Sequence, residues 1–233
     1  VSVQALTGGG RRPKPGEISL ATGGILFLDE LPEFSRAALE TLRQPLEDRE
    51  VTVSRVEATV TYPANFQLVA AMNPCPCGHF PDLARCRCTE GQITRYLQKI
   101  SGPLLDRIDL CVEASPVTYG DVRGGGENEA SGAIRARVEQ AREIQKERFM
   151  EENIRCNGEM AGRHIRKYCV LGKEEETFME EIFEKLALSA RMHDRILKVA
   201  RTTADLAGES KIRLSDLCEA VSYVKSREKF WGN

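Results

Sequence analysis

One stretch constrains the fold of this 233-residue chain more than any other: Gly23-Gly24-Ile25-Leu26-Phe27-Leu28-Asp29-Glu30. Four apolar residues run without a polar break into two adjacent carboxylates. Such a run predicts a strand buried on both faces, the usual state of a central strand in a parallel sheet. Ligands of parallel sheets bind just beyond the carboxyl ends of the strands. The two acids are therefore placed to meet a nucleotide and its Mg²⁺. Asp29 suits the metal, directly or through its waters, and Glu30 suits the polarisation of an attacking water. An ordinary strand leading into an acidic helix start would carry the same residues, so the motif needs support from its surroundings.

Charge and cysteine content narrow the classes. Acidic and basic side chains nearly balance, 35 against 33, so no bulk positive field marks a nucleic-acid binder and any such contact must come from local patches. The apolar runs are far too short for a membrane span, and no signal peptide is read at the start. Eight cysteines, four of them clustered, favour metal binding in a reducing cytoplasm over a secreted disulfide scaffold. No Gly-x-x-x-x-Gly-Lys-Ser/Thr occurs; the nearest candidate, Gly172-Lys173-Glu174, lacks the spacing and the hydroxyl. Without the backbone cradle and lysine that hold β- and γ-phosphates, and with Val1 in place of an initiator, the chain reads as a fragment.

Two zones differ in period. Residues 1–16, with Gly8-Gly9-Gly10-Arg11-Arg12-Pro13-Lys14-Pro15-Gly16, read as a loop. Ser35 can cap a helix carrying Ala38, Leu39, Leu42 and Leu46 on one side, which Pro45 should bend or end. Val51 and Val53 alternate with Thr52 and Ser54, and Ala58-Thr59-Val60-Thr61-Tyr62 follows a short polar turn, the pattern of a β-hairpin. Phe66 to Met72 reads as a further strand ending at Asn73-Pro74. After a Cys-rich loop comes a helix from about Thr89, with Ile93, Tyr96, Leu97 and Ile100 inward, and then Leu110-Cys111-Val112-Glu113 as a last short strand. Residues 118–130, with Gly124-Gly125-Gly126, read as a linker. From 131 onward the apolar spacing is helical, beginning with Ile134, Val138, Ala141 and Ile144 or Gln145; Ser131, Ser189 and Ser215 are candidate caps. An α/β part over 1–117, a linker over 118–130 and an all-helical part over 131–233 are expected.

Cys75-Pro-Cys77 and Cys86-Arg-Cys88 form two Cys-x-Cys pairs joined by a short loop. Four thiolates so close together suit tetrahedral Zn²⁺, which would pin a loop with almost no core of its own. His79 could replace one thiolate, and free thiols or a labile disulfide are the alternative. Cys111, Cys156, Cys169 and Cys218 lie on apolar stretches and read as core residues. Neither His164 nor His193 has a catalytic partner in the sequence.

Strand-Asp-Glu, helix, hairpin, strand-Asn, helix, Arg and then a helical domain is the order of an AAA+ ATPase. Pro15-Gly16-Glu17-Ile18-Ser19-Leu20-Ala21, Phe27-Leu28-Asp29-Glu30-Leu31-Pro32-Glu33-Phe34, Tyr62-Pro63-Ala64-Asn65-Phe66, Asn73-Pro74-Cys75-Pro76-Cys77-Gly78, Ser101-Gly102-Pro103-Leu104-Leu105-Asp106-Arg107-Ile108-Asp109 and Ala200-Arg201-Thr202-Thr203-Ala204-Asp205-Leu206 together resemble the magnesium-chelatase-like AAA+ proteins of the ComM/YifB group. The resemblance implies a partial P-loop NTPase core, a parallel sheet flanked by helices with a hairpin insertion, followed by an all-α lid. It implies ATP and Mg²⁺ as cofactors and a P-loop upstream of Val1. It also implies that Asp29 and Glu30 are the Walker B pair, Asn73 the first sensor, Arg107 a finger offered to the neighbouring subunit's nucleotide, and Arg191 the second sensor, with Arg195 its competitor one turn on. A finger acting in trans demands a ring, here a hexamer. The group's activity implies a DNA branch-migration helicase of natural transformation; a chelatase-type ATPase remodelling a metal-insertion or protein partner is the alternative, and a zinc-stapled module without catalysis a further one. Arg11, Arg12 and Lys14, with Arg49 and Arg55 at the hairpin, are the candidate phosphate-backbone contacts.

Overall fold

The computed structural model describes the whole chain except residues 11–12, 55–57, 116–118, 124–128 and 232–233, and only the backbone of Asp121 and Val122. Arg11, Arg12, Arg55 and the triple glycine therefore lie outside the described residues. The chain divides into two compact units, Val1–Ile108 with Phe230–Asn233, and Asp109–Lys229.

The first unit begins with helix α1 (Val3–Thr7), where Ser2 accepts the Ala5 N–H as a cap. Strands β1 (Gly8–Gly9) and β2 (Lys14–Pro15) then pair antiparallel. Composition alone predicts a loop here, because it sees the glycines but not the close contact they permit. A Cβ on Gly16 would stand 2.3 Å from the Gly8 nitrogen and the Leu6 carbonyl oxygen, so only glycine fits. Helix α2 (Glu17–Leu20) follows, with Ile18 buried.

Strand β3 (Ile25–Leu28) leads to the acidic pair. Ser35 caps α3 (Arg36–Glu40), and after a break at Thr41–Leu42 comes α4 (Arg43–Asp48). The break precedes Pro45 and does not follow it: the proline then falls in the first turn of α4, where its missing N–H has no partner to lose. Strands β4 (Glu50–Ser54) and β5 (Thr59–Pro63) make an antiparallel hairpin, with Thr52 against Thr61 and Ser54 against Thr59 through their hydroxyls. Strand β6 (Gln67–Ala70) pairs parallel with β3, Ile25 opposite Gln67 and Leu28 opposite Ala70. Helix α5 (Glu90–Leu97) carries a full capping box from Thr89 and Gln92, and α6 (Gly102–Leu105) is capped by Ser101. Leu26, Leu28, Leu31, Leu39, Leu42, Val51, Val53 and Leu104 form the core.

Two expectations fail here for one reason. Strand β3 is buried on one face only: Leu26 and Leu28 are inside, while Ile25 is 61 % and Phe27 58 % exposed. Its sheet has two strands, and nothing among the described residues covers the other face. Leu110–Glu113 is likewise not a strand. Leu110 and Val112 are exposed, no neighbouring strand among the described residues pairs with the segment, and an unpaired strand gains no ladder hydrogen bonds.

The second unit is helical: α7 (Tyr119–Arg123), α8 (Ser131–Arg148), α9 (Gly162–Tyr168), α10 (Lys173–Lys185), α11 (Ala190–Leu206) and α12 (Leu214–Trp231), of which Phe230 and Trp231 count with the first unit. Helix α7 thus occupies part of the stretch read as linker. Ser189 caps α11 as expected. At the other two helix starts the cap differs: Ala130 precedes α8, and at α12 the Asp216 carboxylate takes the Arg213 N–H while Ser215 lies within the helix. Of the α8 stripe, Ala141 and Gln145 are buried while Ile134 and Val138 are exposed.

A polar knot sits inside this unit. Asp205, almost fully buried, accepts from Arg148 Nη1 at 2.7 Å and also from Arg148 Nη2, from Asn157 Nδ2 at 2.8 Å and from Arg201 Nε at 3.1 Å. Arg201 also donates to the Ser210 and Glu209 carbonyls that follow α11. Among the described residues no helix is long and apolar enough to cross a membrane.

Candidate active site and metal centre

Because β3 and β6 run parallel and in register, their carboxyl ends lie side by side. The Ala71 N–H donates to the Leu28 carbonyl at 2.9 Å and the Leu31 N–H to the Ala71 carbonyl at 3.0 Å, so the pairing continues past both strands. Asp29 and Glu30 leave one strand at the point where Met72 and Asn73 leave the other, and all three polar side chains are solvent-facing. The backbone turns sharply at Glu30, which takes left-handed angles (φ 51°, ψ 47°) at the start of the short 3₁₀ turn Leu31–Glu33. Its N–H is held by Asp29 Oδ1 at 2.8 Å. A left-handed non-glycine residue costs free energy that the surroundings must supply; here the Leu31 and Ala71 hydrogen bonds on either side lock the turn.

Arg107 follows α6 in the same unit. Its Nη1 donates to the Pro103 carbonyl at 2.6 Å and its Nη2 is paired with Glu47 of α4, while its Nε is buried without a partner. Glu47 lies sixty residues away in sequence, so no spacing rule exposes this pair. The other two candidate arginines belong to the second unit. Arg191 is exposed at the start of α11, and Arg195 Nε is paired with Asp109 at 3.0 Å. Of the cationic candidates near the chain start, Lys14 is exposed on β2, and Arg49 holds the left-handed position that ends α4.

The cysteine loop gives the sharpest geometry. The sulfurs of Cys75, Cys77, Cys86 and Cys88 all lie within 4.8 Å of one another. Cys75 to Cys77 is 3.4 Å, Cys77 to Cys86 3.6 Å and Cys75 to Cys86 3.8 Å. A tetrahedral zinc with bonds of about 2.3 Å sets its sulfurs roughly 3.8 Å apart, so the four-thiol set fits such an ion with little movement. His79 is not needed as a ligand. The Phe80 N–H points at the Cys75 sulfur, the kind of partner that steadies a coordinating thiolate. The N–H groups of His79 and Arg87 hold the Cys77 thiol down to about 6. Burial, reinforced by the Cys77 sulfur, pushes Cys88 up to about 12. One sulfur of the group thus sheds its proton easily while another resists, as crowded thiols must until a cation neutralises them.

The remaining cysteines are not uniformly core residues. Only Cys169 is buried, where burial pushes its thiol up to about 11; Cys218 is exposed and Cys111 and Cys156 lie between. His164 is buried, its Nδ1 accepting the Ala161 N–H at 3.0 Å and its Nε2 facing Glu152 at 3.5 Å, a structural placement.

Comparison with known proteins fixes the lineage. The family model described as magnesium chelatase, subunit ChlI, matches residues 1–122, and that of the same subunit's C-terminal region matches residues 128–224. This chain belongs to the magnesium-chelatase-like family. Within it the chain falls in the ComM/YifB group. It is 48 % identical to Competence protein ComM of Haemophilus influenzae over 223 residues, 95 % of this chain and 43 % of the relative. It is 47 % identical to YifB of Salmonella typhimurium and 46 % identical to YifB of Escherichia coli over the same shares. The chain therefore spans less than half the length of these curated relatives.

Proposed function

We propose that this chain carries the hydrolytic half of an ATP-driven AAA+ motor, the partial P-loop core in residues 1–117 and the helical lid in residues 131–233. The juxtaposition of Asp29, Glu30 and Asn73 at the carboxyl ends of two parallel strands carries the reading, because ligands of parallel sheets bind at that edge. ATP with Mg²⁺ supplies the scissile phosphoanhydride and the cation that neutralises charge on the phosphates. Asp29 holds the metal side of the site. Glu30 takes a hydrogen bond from the attacking water, and the Asn73 amide orients that water. Arg107, released from Glu47, stabilises charge spreading over the transferred phosphoryl in the neighbouring subunit's site, which makes the assembly a ring, a hexamer. Arg191, exposed at the start of α11, is the lid's contribution, and Arg195 is the weaker candidate because Asp109 already holds it.

Four thiols at tetrahedral spacing are proposed to hold Zn²⁺ as a structural brace. The motor's substrate is proposed to be branched DNA, on the strength of the likeness to a competence protein, with Arg11, Arg12, Lys14 and Arg55 following the phosphate backbone. The description of both matching family models favours a second reading, a chelatase-type remodeller of a metal-insertion partner. An ATPase assay on the full-length polypeptide separates the two. Stimulation by branched DNA over duplex DNA and porphyrin supports the first reading; stimulation by porphyrin alone supports the second.

A further inference from the structure

We propose that an acid-rimmed groove between α9, α10 and α11 receives the first half of α8 from a second copy of the chain. The proposal concerns how one copy meets the next and does not rest on the nucleotide reading. The groove encloses about 870 Å³. Ile165, Cys169, Met179 and Leu197 form its buried floor, while Val170, 66 % exposed, and Phe183, 40 % exposed, stand open on its walls. An apolar groove of this kind suits the apolar face of an amphipathic helix. Glu176, Glu180 and Glu184 line it one turn apart along α10, and Asp194 joins them from α11; Arg166 and the His193 ring are its basic groups. The rim is therefore negative and calls for a cationic partner.

Helix α8 has the complementary character. Its second half is anchored through the buried Ala141 and Gln145, but residues 131–140 are exposed without exception. Ile134 and Val138, each 41 % exposed, lie one turn apart on the same stripe as Ala141 and Gln145. That stripe runs on beyond its own packing partner with its apolar side chains in water. Arg135 and Arg142 flank Val138, seven residues and so about 10.5 Å apart along the axis. Glu176 and Glu184, eight residues apart, span about 12 Å. The ion pairs of α8 engage Arg137, Lys146 and Arg148; among the described residues Arg135 and Arg142 have none, and neither do Glu176, Glu180 and Glu184. Unpaired cations beside an apolar pair thus match unpaired acids beside an apolar groove at nearly the same pitch, and such charges fix the register of docking. Within one chain α8 contributes no side chain to the groove, so a second copy supplies the helix.

Sedimentation velocity over a concentration series tests the contact, with circular dichroism confirming the fold of each variant. The wild-type chain should self-associate, and more weakly as salt rises. Glu180→Arg with Glu184→Arg, and separately Arg135→Glu with Arg142→Glu, should each raise the dissociation constant at least about tenfold. Mixed in equal amounts, the two variants should associate again, because each groove then meets a helix of opposite sign. Val138→Asp, at an exposed position that leaves the core untouched, should weaken the wild-type contact as well. A wild-type chain that stays monomeric at about 1 mM overturns the proposal, whether the first unit of the same chain or a basic partner protein covers α8 instead. Charge-reversed variants that associate as well as wild type overturn it too, as do variants that fail to recover when mixed. Recovery on mixing in a polypeptide without ATP turnover sustains the contact and counts against the ATPase reading alone.

Discussion

Asp205→Ala is the sharpest stability test the helical unit offers. The Asp205 carboxylate faces two arginines, Arg148 and Arg201, and it also accepts from Asn157; its own exposure is 1 %. Removing it takes from Arg201, 2 % exposed, and from the largely covered Arg148 the counter-charge they share. Breaking a buried ion pair from one side costs about 3–5 kcal/mol, because the charge left behind keeps its desolvation penalty. With a urea m-value of roughly 2 kcal/mol per molar, the unfolding midpoint of this unit should fall by about 1.5–2.5 M. Circular dichroism at 222 nm follows the transition directly. Asp205→Asn, which keeps the shape and the Asn157 contact, should still lose much of the stability, because charge and not packing is the missing element. A midpoint shift below about 0.5 M for Asp205→Ala would show that water reaches the arginines and that the knot is not a buried network.

Arg201 and Asp205 belong to the Ala200–Leu206 motif that helps to carry the family resemblance, yet both are spent on holding α11 to its surroundings. The sequence signals lineage there and says nothing of chemistry. At the strand ends the reverse holds. A four-residue apolar run ending in two acids already implies the strand end, and the structure adds the parallel partner that brings Asn73 beside it. Periodicity could not show that β3 has a bare face, since Ile25 and Phe27 look the same in sequence whether or not a layer covers them. Glu47 as the partner of Arg107 is equally illegible, because the two residues lie sixty positions apart in the chain. The cysteine spacing, by contrast, was almost sufficient, because two Cys-x-Cys pairs on a short loop leave little freedom in where four sulfurs can go.

Gly16→Ala should destabilise the first unit by about 1–3 kcal/mol, the cost of forcing a methyl against unyielding backbone, read as a lowered urea midpoint; an unchanged midpoint would mean the α1–β2 turn opens freely. Glu152 is held down to about 2 by hydrogen bonds from Lys167 and Tyr168. Its folded value lies below its unfolded one, so its contribution is complete above about pH 4.5 and fades as the pH falls towards 2. Glu152→Gln should accordingly lower the midpoint at pH 7 and make little difference near pH 2. Arg107→Ala in the full-length polypeptide should abolish ATP turnover, and mixing it with Glu30→Gln subunits should restore part of it; no recovery in any mixed ring would contradict action across a subunit boundary.

Replacing Glu30 by Gln in the full-length polypeptide, with nucleotide binding and hydrolysis measured on the same sample, addresses the strand-end site most directly. Asp29 and the charge it offers the metal remain, so ATP should bind with wild-type affinity while turnover falls by at least about a hundredfold, the scale of losing a general base. Hydrolysis that continues at the wild-type rate would show that the acids closing β3 do not act on the lytic water.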